Sequence, residues 1–440
     1  MSPILPSPDS AAIAFTLLFA AALLLSVATR LWLATRQSRH VARHRDAVPV
    51  QFAERVSLPA HQRAADYTLA RVRLGVIETI VGAVVLLGFT VFGGIAAIAD
   101  LLRAWLPDAP FWRQVLLIGA VGAIGGLVDL PAAWYRQFGL EKRFGFNRMT
   151  PALFLADLAK GTLLGIALGT PLLVAVLWLM AQVGTAWWVW AWAVWVAFNL
   201  AVLVLYPTVI APMFNRFVPL EPGPVRERVE RLLARCGFAS KGLFVMDGSR
   251  RSAHGNAYFT GFGRGKRIVF FDTLLARLDA EEIEAVLAHE LGHFKRRHIL
   301  KRVVATFAIS FVGLCLLGWL SRQPWFYQGL GATPQPGDAL GGHALLLFFL
   351  VMPVFSFLLQ PLSSWLSRRH EFEADAFAAE QASASDLSRA LVKLYEDNAA
   401  TLTPDPVHSA FYDSHPPAAI RLARLAALGA AMRPAATAAA

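Results

Sequence analysis

Apolar residues in this chain fall in long blocks separated by polar stretches, and seven blocks exceed the roughly 18 residues a membrane-crossing helix needs. They run Ala11–Thr29, Leu74–Ile98, Phe111–Leu130, Leu153–Met180, Ala186–Tyr206, Val303–Leu320 and Ala344–Leu366. The first is read as an uncleaved anchor rather than a signal peptide, because nothing basic precedes it and an arginine-rich stretch follows. The organisation expected is residues 1–206 with five spans, a polar segment 207–302, spans six and seven in 303–366, a second polar segment 367–431, and a tail 432–440.

The first polar segment carries finer patterns. After Pro219, Pro222 and Pro224 the periodicity predicts an amphipathic helix from about Val225 to Cys236, ending near Gly237. Strand-like runs follow at Leu243–Met246, Ala257–Phe262 and Arg267–Phe271. Asp279 with Glu282 forms a capping-box pattern at the start of another helix.

Composition agrees with a membrane protein: of 440 residues 56% are hydrophobic and 16% charged, against roughly 45 to 50% and 25% in soluble domains. Disorder, a collagen and a disulfide scaffold are excluded, and Cys236 and Cys315 lie in unlike surroundings, so no bridge between them is expected. The net charge of +11 reads as membrane topology rather than nucleic-acid binding. Arginines crowd the connection after span one (Arg30, Arg36, Arg39, Arg43, Arg45) and Arg136, Lys142, Arg143 and Arg148 follow span three; the intervening connections are nearly bare. The amino terminus is therefore expected outside and both polar segments in the cytosol. The Ala-, Arg- and Pro-rich composition suggests a bacterial inner membrane. Trp187, Trp188, Trp190, Trp192 and Trp195 read as an interfacial belt, and Glu78, Asp157 and Lys160 inside apolar blocks should point inward or pair.

The capped helix carries His289-Glu290-Leu291-Gly292-His293, an H-E-x-x-H motif. Residues i and i+4 lie about 40° apart around a helix and about 6 Å along it, so both imidazoles can reach one ion. Glu290, on the flank of that face, is placed to take a proton from water activated there. A catalytic zinc takes a third protein ligand and keeps one position open. Glu371, in Arg369-His370-Glu371-Phe372-Glu373-Ala374-Asp375 after span seven, is the candidate, with Asp375 one turn on to accept a hydrogen bond from a ligand imidazole. Glu373 points to another side of that helix.

These residues resemble the type I CAAX prenyl protease family of integral-membrane zinc endopeptidases. The resemblance rests on HELGH at His289–His293, EFEAD at Glu371–Asp375, HGNAYFTG at His254–Gly261, and DSHPP at Asp413–Pro417 with Arg421 beyond it. It implies an α-helical polytopic membrane protein whose seven or so helices form a barrel around an intramembrane chamber, with a cytosolic α+β zinc-metalloprotease domain. It further implies one Zn2+ per chain on His289, His293 and Glu371, with Glu290 activating water. Asn256, Ala257 and Tyr258 would begin the edge that pairs with extended substrate, and His415 and Arg421 would hold substrate and stabilise the oxyanion. The implied partners are a peptide or protein substrate, with or without a prenyl group, and the bilayer. Two departures stand out: Gly255 replaces a frequent serine, and His370 an aromatic. His254, His298 and His408 receive no role. Two rival readings stay open, a membrane-protein quality-control protease, and a transporter or channel with a vestigial protease site.

Overall fold

The computed structural model describes residues 8–260, 266–332, 334 and 338–432. Among them, seven helices are long and apolar enough to cross a membrane. Their α-helical portions are Pro8–Arg43, Leu58–Phe89, Pro110–Trp134, Pro151–Gln182, Trp187–Leu205, His298–Leu320 and Gly341–Ser356, the last running on through 357–359 into Gln360–Gln381. Each touches the next in chain order and the seventh returns to the first, so the spans close into a ring. Of the expected tail 432–440, Met432 closes the last helix and residues 433–440 lie outside the described residues.

The second span differs from the expected Leu74–Ile98. Its helix starts at Leu58, where the Ser57 side chain accepts from the Ala60 N–H and Pro59 sits in the first turn. It stops at Phe89, Gly93 adopts a left-handed φ of 77°, and a separate helix runs Gly94–Trp105. The Gly93-Gly94 pair breaks a block that hydropathy alone reads as continuous. The third span is prolonged by a π-helical segment, Tyr135–Glu141, just after Pro131 removes an N–H from the ladder.

The tryptophans at the start of span five are also not a simple belt. Trp187 is buried, Trp192 donates to the Phe307 carbonyl of span six at 3.0 Å, and Trp188 packs edge-on against Phe311. Trp190 remains exposed. Asp157 and Lys160 do not pair with each other. Arg251 of the first polar segment takes both Asp157 oxygens, at 2.8 and 3.1 Å, and Lys160 donates to the Met213 carbonyl. Glu78 pairs with Arg136.

Contacts between connections sort them to two ends. At one, Thr16 donates to the Gly329 carbonyl and Arg103 pairs with Asp338 at 2.8 Å; at the other, Arg36 grips Asp405 at 3.0 and 3.1 Å.

On the Arg36 side the polar segments build a four-stranded sheet, β1 (Phe217–Pro219), β2 (Leu243–Met246), β3 (Ala257–Thr260) and β4 (Arg267–Phe271). The order is β1-β2-β4-β3, with β2 and β4 parallel and the other pairs antiparallel. β1 was not expected. It is three residues long and ends in Pro219, which an edge strand tolerates because one side of its backbone is unpaired. Gly261 and Phe262, the expected end of β3, lie outside the described residues. The Pro224–Arg235 helix ends at Cys236 with Gly237 at φ 59°, as expected. One hydrophobic core joins this helix and the sheet to the Ala280–Lys295, Gln360–Gln381 and Ala384–Asp397 helices, so both polar segments contribute to it. Both cysteines are free.

Candidate active site

The helix that carries H-E-x-x-H runs Ala280–Lys295. Its capping box is formed: the Asp279 carboxylate accepts from the Glu282 N–H at 2.9 Å, and Glu282 accepts from the Asp279 N–H at 3.0 Å. Packed along it is the Gln360–Gln381 helix, which continues from the seventh span and carries Glu371 and Asp375. Ala374 meets Gly292 where the two helices cross, and no side chain larger than hydrogen fits at that glycine.

This crossing brings His289, His293 and Glu371 together, with one donor atom from each within 4.8 Å of the others. His289 Nε2 is 3.2 Å from His293 Nε2 and 3.4 Å from Glu371 Oε2, and His293 Nε2 is 3.3 Å from Glu371 Oε1. The buried Oε2 of Glu371 has no hydrogen-bond partner. Two imidazoles and a carboxylate aimed at one point, with a buried oxygen left unsatisfied, fit a divalent cation.

Hydrogen bonds on the far sides of the rings settle which nitrogens face inward. A carboxylate only accepts, so His289 Nδ1–H donates to Asp375 Oδ1 at 2.8 Å and turns Nε2 toward the point shared with His293 and Glu371. Asp375 is in turn gripped by Arg421, whose Nε and Nη2 each lie 2.7 Å from its oxygens. Arg421 is buried, and its Nη2 is 3.7 Å from Glu371 Oε2. Burial and the Arg421 charge press His289 toward its neutral form, but the neighbouring Asp375 and Glu371 carboxylates prevail and raise its pKa to about 9. Burial raises the pKa of Glu290 above the ordinary glutamate value, opposed by His289 and His293.

His415 arrives from the turn before the Ala418–Met432 helix, its Nε2 3.6 Å from Glu371 Oε2. Its side chain is 63% exposed where that of Glu371 is 7% exposed. The exposure faces a cavity of about 1100 Å3 between spans one and two, the Tyr135–Glu141 segment and the 395–418 stretch. Its wall mixes apolar Leu31, Val72, Leu74 and Val76 with Arg30, Glu78, Arg136 and Glu141.

Asn256, Ala257 and Tyr258 are not in that cluster. Asn256 immediately precedes β3, and Ala257 and Tyr258 lie on it, at a sheet edge that no strand among the described residues covers and that packs on the motif helix. The Asn256 side chain accepts from the Ala257 N–H at 2.8 Å, and its carbonyl accepts from the Phe271 N–H at 3.0 Å. Opposite residues in an antiparallel pair alternate between bonded and unbonded. With Asn256 opposite Phe271 bonded, Ala257 and Phe259 turn their backbone groups away from β4 toward the open edge.

The motifs alone did not reveal a second set of side chains. His293 Nδ1 lies 3.0 Å from His298 Nδ1, and His298 Nε2 lies 3.1 Å from Glu373 Oε2. His370 stacks on His298 with ring centroids 4.0 Å apart and planes 11° apart. His298 opens span six and folds back on His293 because Arg297 takes a left-handed φ of 56° between the helices. A histidine five residues past His293 would not share its helix face, so spacing gave no signal.

Residues 37–216 match the family described as CAAX prenyl protease N-terminal, five membrane helices, and residues 219–428 match peptidase family M48. A CAAX prenyl protease 1 homolog of Arabidopsis thaliana is 38% identical over 72% of this chain and 74% of its own length. The CAAX prenyl protease 1 of Saccharomyces cerevisiae is 36% identical, over 71% of this chain and 72% of its own length. The crystal structure of Ste24p from S. mikatae superposes with a TM-score of 0.88 at 29% identity, covering 96% of this chain and all of that one.

Proposed function

Because the chain belongs to peptidase family M48 and to its CAAX prenyl protease branch, we propose that this integral-membrane metallopeptidase uses zinc to cut prenylated proteins near their carboxyl termini. The observation that carries the reading is the buried His289, His293 and Glu371 trio with its unsatisfied oxygen, beside a cavity with a partly apolar wall.

His289, His293 and Glu371 would hold one Zn2+, which when bound polarises the scissile carbonyl and lowers the pKa of water to roughly 7. Glu290 takes the proton from the attacking water and delivers it to the leaving amine. Its raised pKa favours the first half of that exchange, the uptake of the proton. His415, exposed to the cavity, donates to the oxygen that gains charge, and Arg421 adds positive potential from behind Glu371 while holding Asp375 against His289. The substrate runs antiparallel along β3 and pairs with Ala257 and Phe259. The two polar segments act as one cytosolic protease domain, with the amino terminus outside; the loop charges support that orientation. Composition supports a bacterial inner membrane, whereas the relatives named above are eukaryotic.

Three results are expected. Offered matched peptides with and without a farnesyl group, the purified protein should cleave the lipidated one with kcat/KM more than about tenfold higher, since each buried methylene contributes ~0.8 kcal/mol. Both cleavages should stop with chelator. Equal rates would instead favour general quality control. Ala257→Pro removes an edge N–H that the Asn256 amide oxygen must release to substrate, leaves the β4 ladder intact, and should lower kcat/KM about tenfold, mainly through KM, as for one lost hydrogen bond. Ala257→Val should leave it near wild type.

Metal binding should be strongly pH-dependent. A protonated imidazole cannot be a ligand, and His289 in the metal-free site holds its proton up to about pH 9. Zn2+ affinity should therefore rise about tenfold per pH unit through neutrality and level off above that pKa. Competition titrations against a chelator of known affinity, repeated across pH, read this slope, and a flat profile would refute it.

A further inference from the structure

Nothing in the zinc chemistry above uses His298, Glu373 or His370, yet together they fix the one imidazole of the trio that Asp375 does not reach. We propose that His298 and Glu373 are positioning residues for His293: Glu373 fixes the tautomer of His298, and His298 holds His293 with Nε2 bare toward the metal. The inference rests on the reading that His289, His293 and Glu371 hold a metal.

The argument runs inward from the carboxylate. Glu373 Oε2 can only accept, so the proton of His298 sits on Nε2, 3.1 Å away. A neutral imidazole with its proton on Nε2 has a lone pair on Nδ1. That lone pair faces His293 Nδ1 at 3.0 Å, so His293 must be the donor and carry its proton on Nδ1. Its Nε2 is then unprotonated and lies among His289 Nε2 and Glu371 Oε1, at 3.2 and 3.3 Å. The reverse assignment would set a bare His298 nitrogen against a carboxylate.

Burial and stacking hold the relay in place. The His298 side chain is 4% exposed, and His370 lies flat on its ring. Arg369 lies 3.4 Å from the other Glu373 oxygen and fixes the carboxylate from outside. Glu373 and Glu371 are two residues apart on one helix, so that helix supplies a ligand on one side and an anchor for a different ligand on the other. The role given to His370 is that of a flat ring, which an aromatic residue fills equally well.

The test is Zn2+ affinity of the full-length protein in detergent, stripped of metal and titrated against a chromophoric chelator, with Co2+ absorption as a geometric readout. His298→Ala and Glu373→Ala should each weaken Zn2+ binding about 10- to 100-fold and alter the Co2+ spectrum. Glu373→Gln, whose side-chain oxygen still accepts from His298, should recover most of that loss, and His370→Phe should bind as wild type. The unfolding temperature of the metal-free Glu373→Ala protein should match wild type. A purely structural role would lower it without sparing the glutamine variant. If His298→Ala does not fold, Glu373→Ala carries the test, its side chain being 32% exposed. Wild-type affinity in Glu373→Ala, or a Glu373→Gln as weak as Glu373→Ala, overturns the relay. Loss of metal in His370→Phe overturns the stacking role. A wild-type protein that binds no metal, like a His289→Ala control, would instead bring down the metal reading beneath it.

Discussion

Glu290→Gln should abolish peptide cleavage while leaving metal content and fold intact. The two side chains have the same shape, and Glu290 makes none of the ligand contacts that join His289, His293 and Glu371. The change therefore removes one property, the capacity to accept a proton. General-base contributions of about 10^2 to 10^4-fold are typical, and kcat should fall by at least that range. Desolvation at Glu290 sharpens the expectation, because burial already makes its carboxyl a stronger base than an exposed one. Elemental analysis should return the wild-type metal stoichiometry, and mass spectrometry of a quenched peptide digest should show no product on the wild-type timescale. Turnover near wild type in a metal-replete Glu290→Gln protein would exclude this residue as the base.

What the sequence revealed, and what it concealed, follows from the range of the interactions involved. Apolar blocks, the Asp279–Glu282 capping box and the i, i+4 pair of histidines are local patterns, each set by helix geometry within a few residues. Apart from the second span, they appear in the structure where the pattern put them. The Glu371 carboxylate could be named from its own helix and from resemblance, but its approach to the imidazoles depends on a crossing with a helix some eighty residues earlier. The His298 relay was illegible for a different reason. It passes through a turn at Arg297, a residue type with no special preference for left-handed backbone, and nothing in composition marks that turn. Hydropathy likewise joined Leu74 to Ile98 because it weighs Gly93 and Gly94 as mildly apolar and ignores their conformational freedom. β1 was missed because three residues ending in proline form a strand only when β2 is beside them. Arg421 was placed at the site by resemblance, but its grip on both Asp375 oxygens inside the protein is visible only in three dimensions.

Gly292→Ala should cost the protein its metal, against what local helix preference predicts. Alanine is better than glycine inside a helix by about 0.8 to 1 kcal/mol, so on propensity alone the substitution would stabilise the Ala280–Lys295 helix. Packing has the opposite sign and is larger. A methyl group at Gly292 would sit 2.8 Å from the Ala374 Cα, 3.0 Å from its carbonyl oxygen and 3.2 Å from its Cβ. Two of those atoms are backbone and no rotamer can move them, so the helices themselves must separate by roughly 0.7 Å or more to restore carbon contacts near 3.5 Å. Overpacking of this kind costs about 1 to 3 kcal/mol. The larger consequence is at the site: Gly292 precedes His293 and Ala374 follows Glu371 by three residues, so separation at this crossing draws Glu371 away from both imidazoles. Metal–ligand lengths tolerate only about 0.2 Å, and Zn2+ affinity should fall at least 10- to 100-fold, with peptide cleavage falling in parallel. Replacing Ala374 by glycine in the same chain should not restore binding, since the Ala374 Cα and carbonyl remain. The comparison to make is chelator-competition affinity and kcat/KM for wild type, the Gly292→Ala single variant and that double variant; wild-type zinc binding by the single variant would mean that the two helices are not held apart by the least possible side chain.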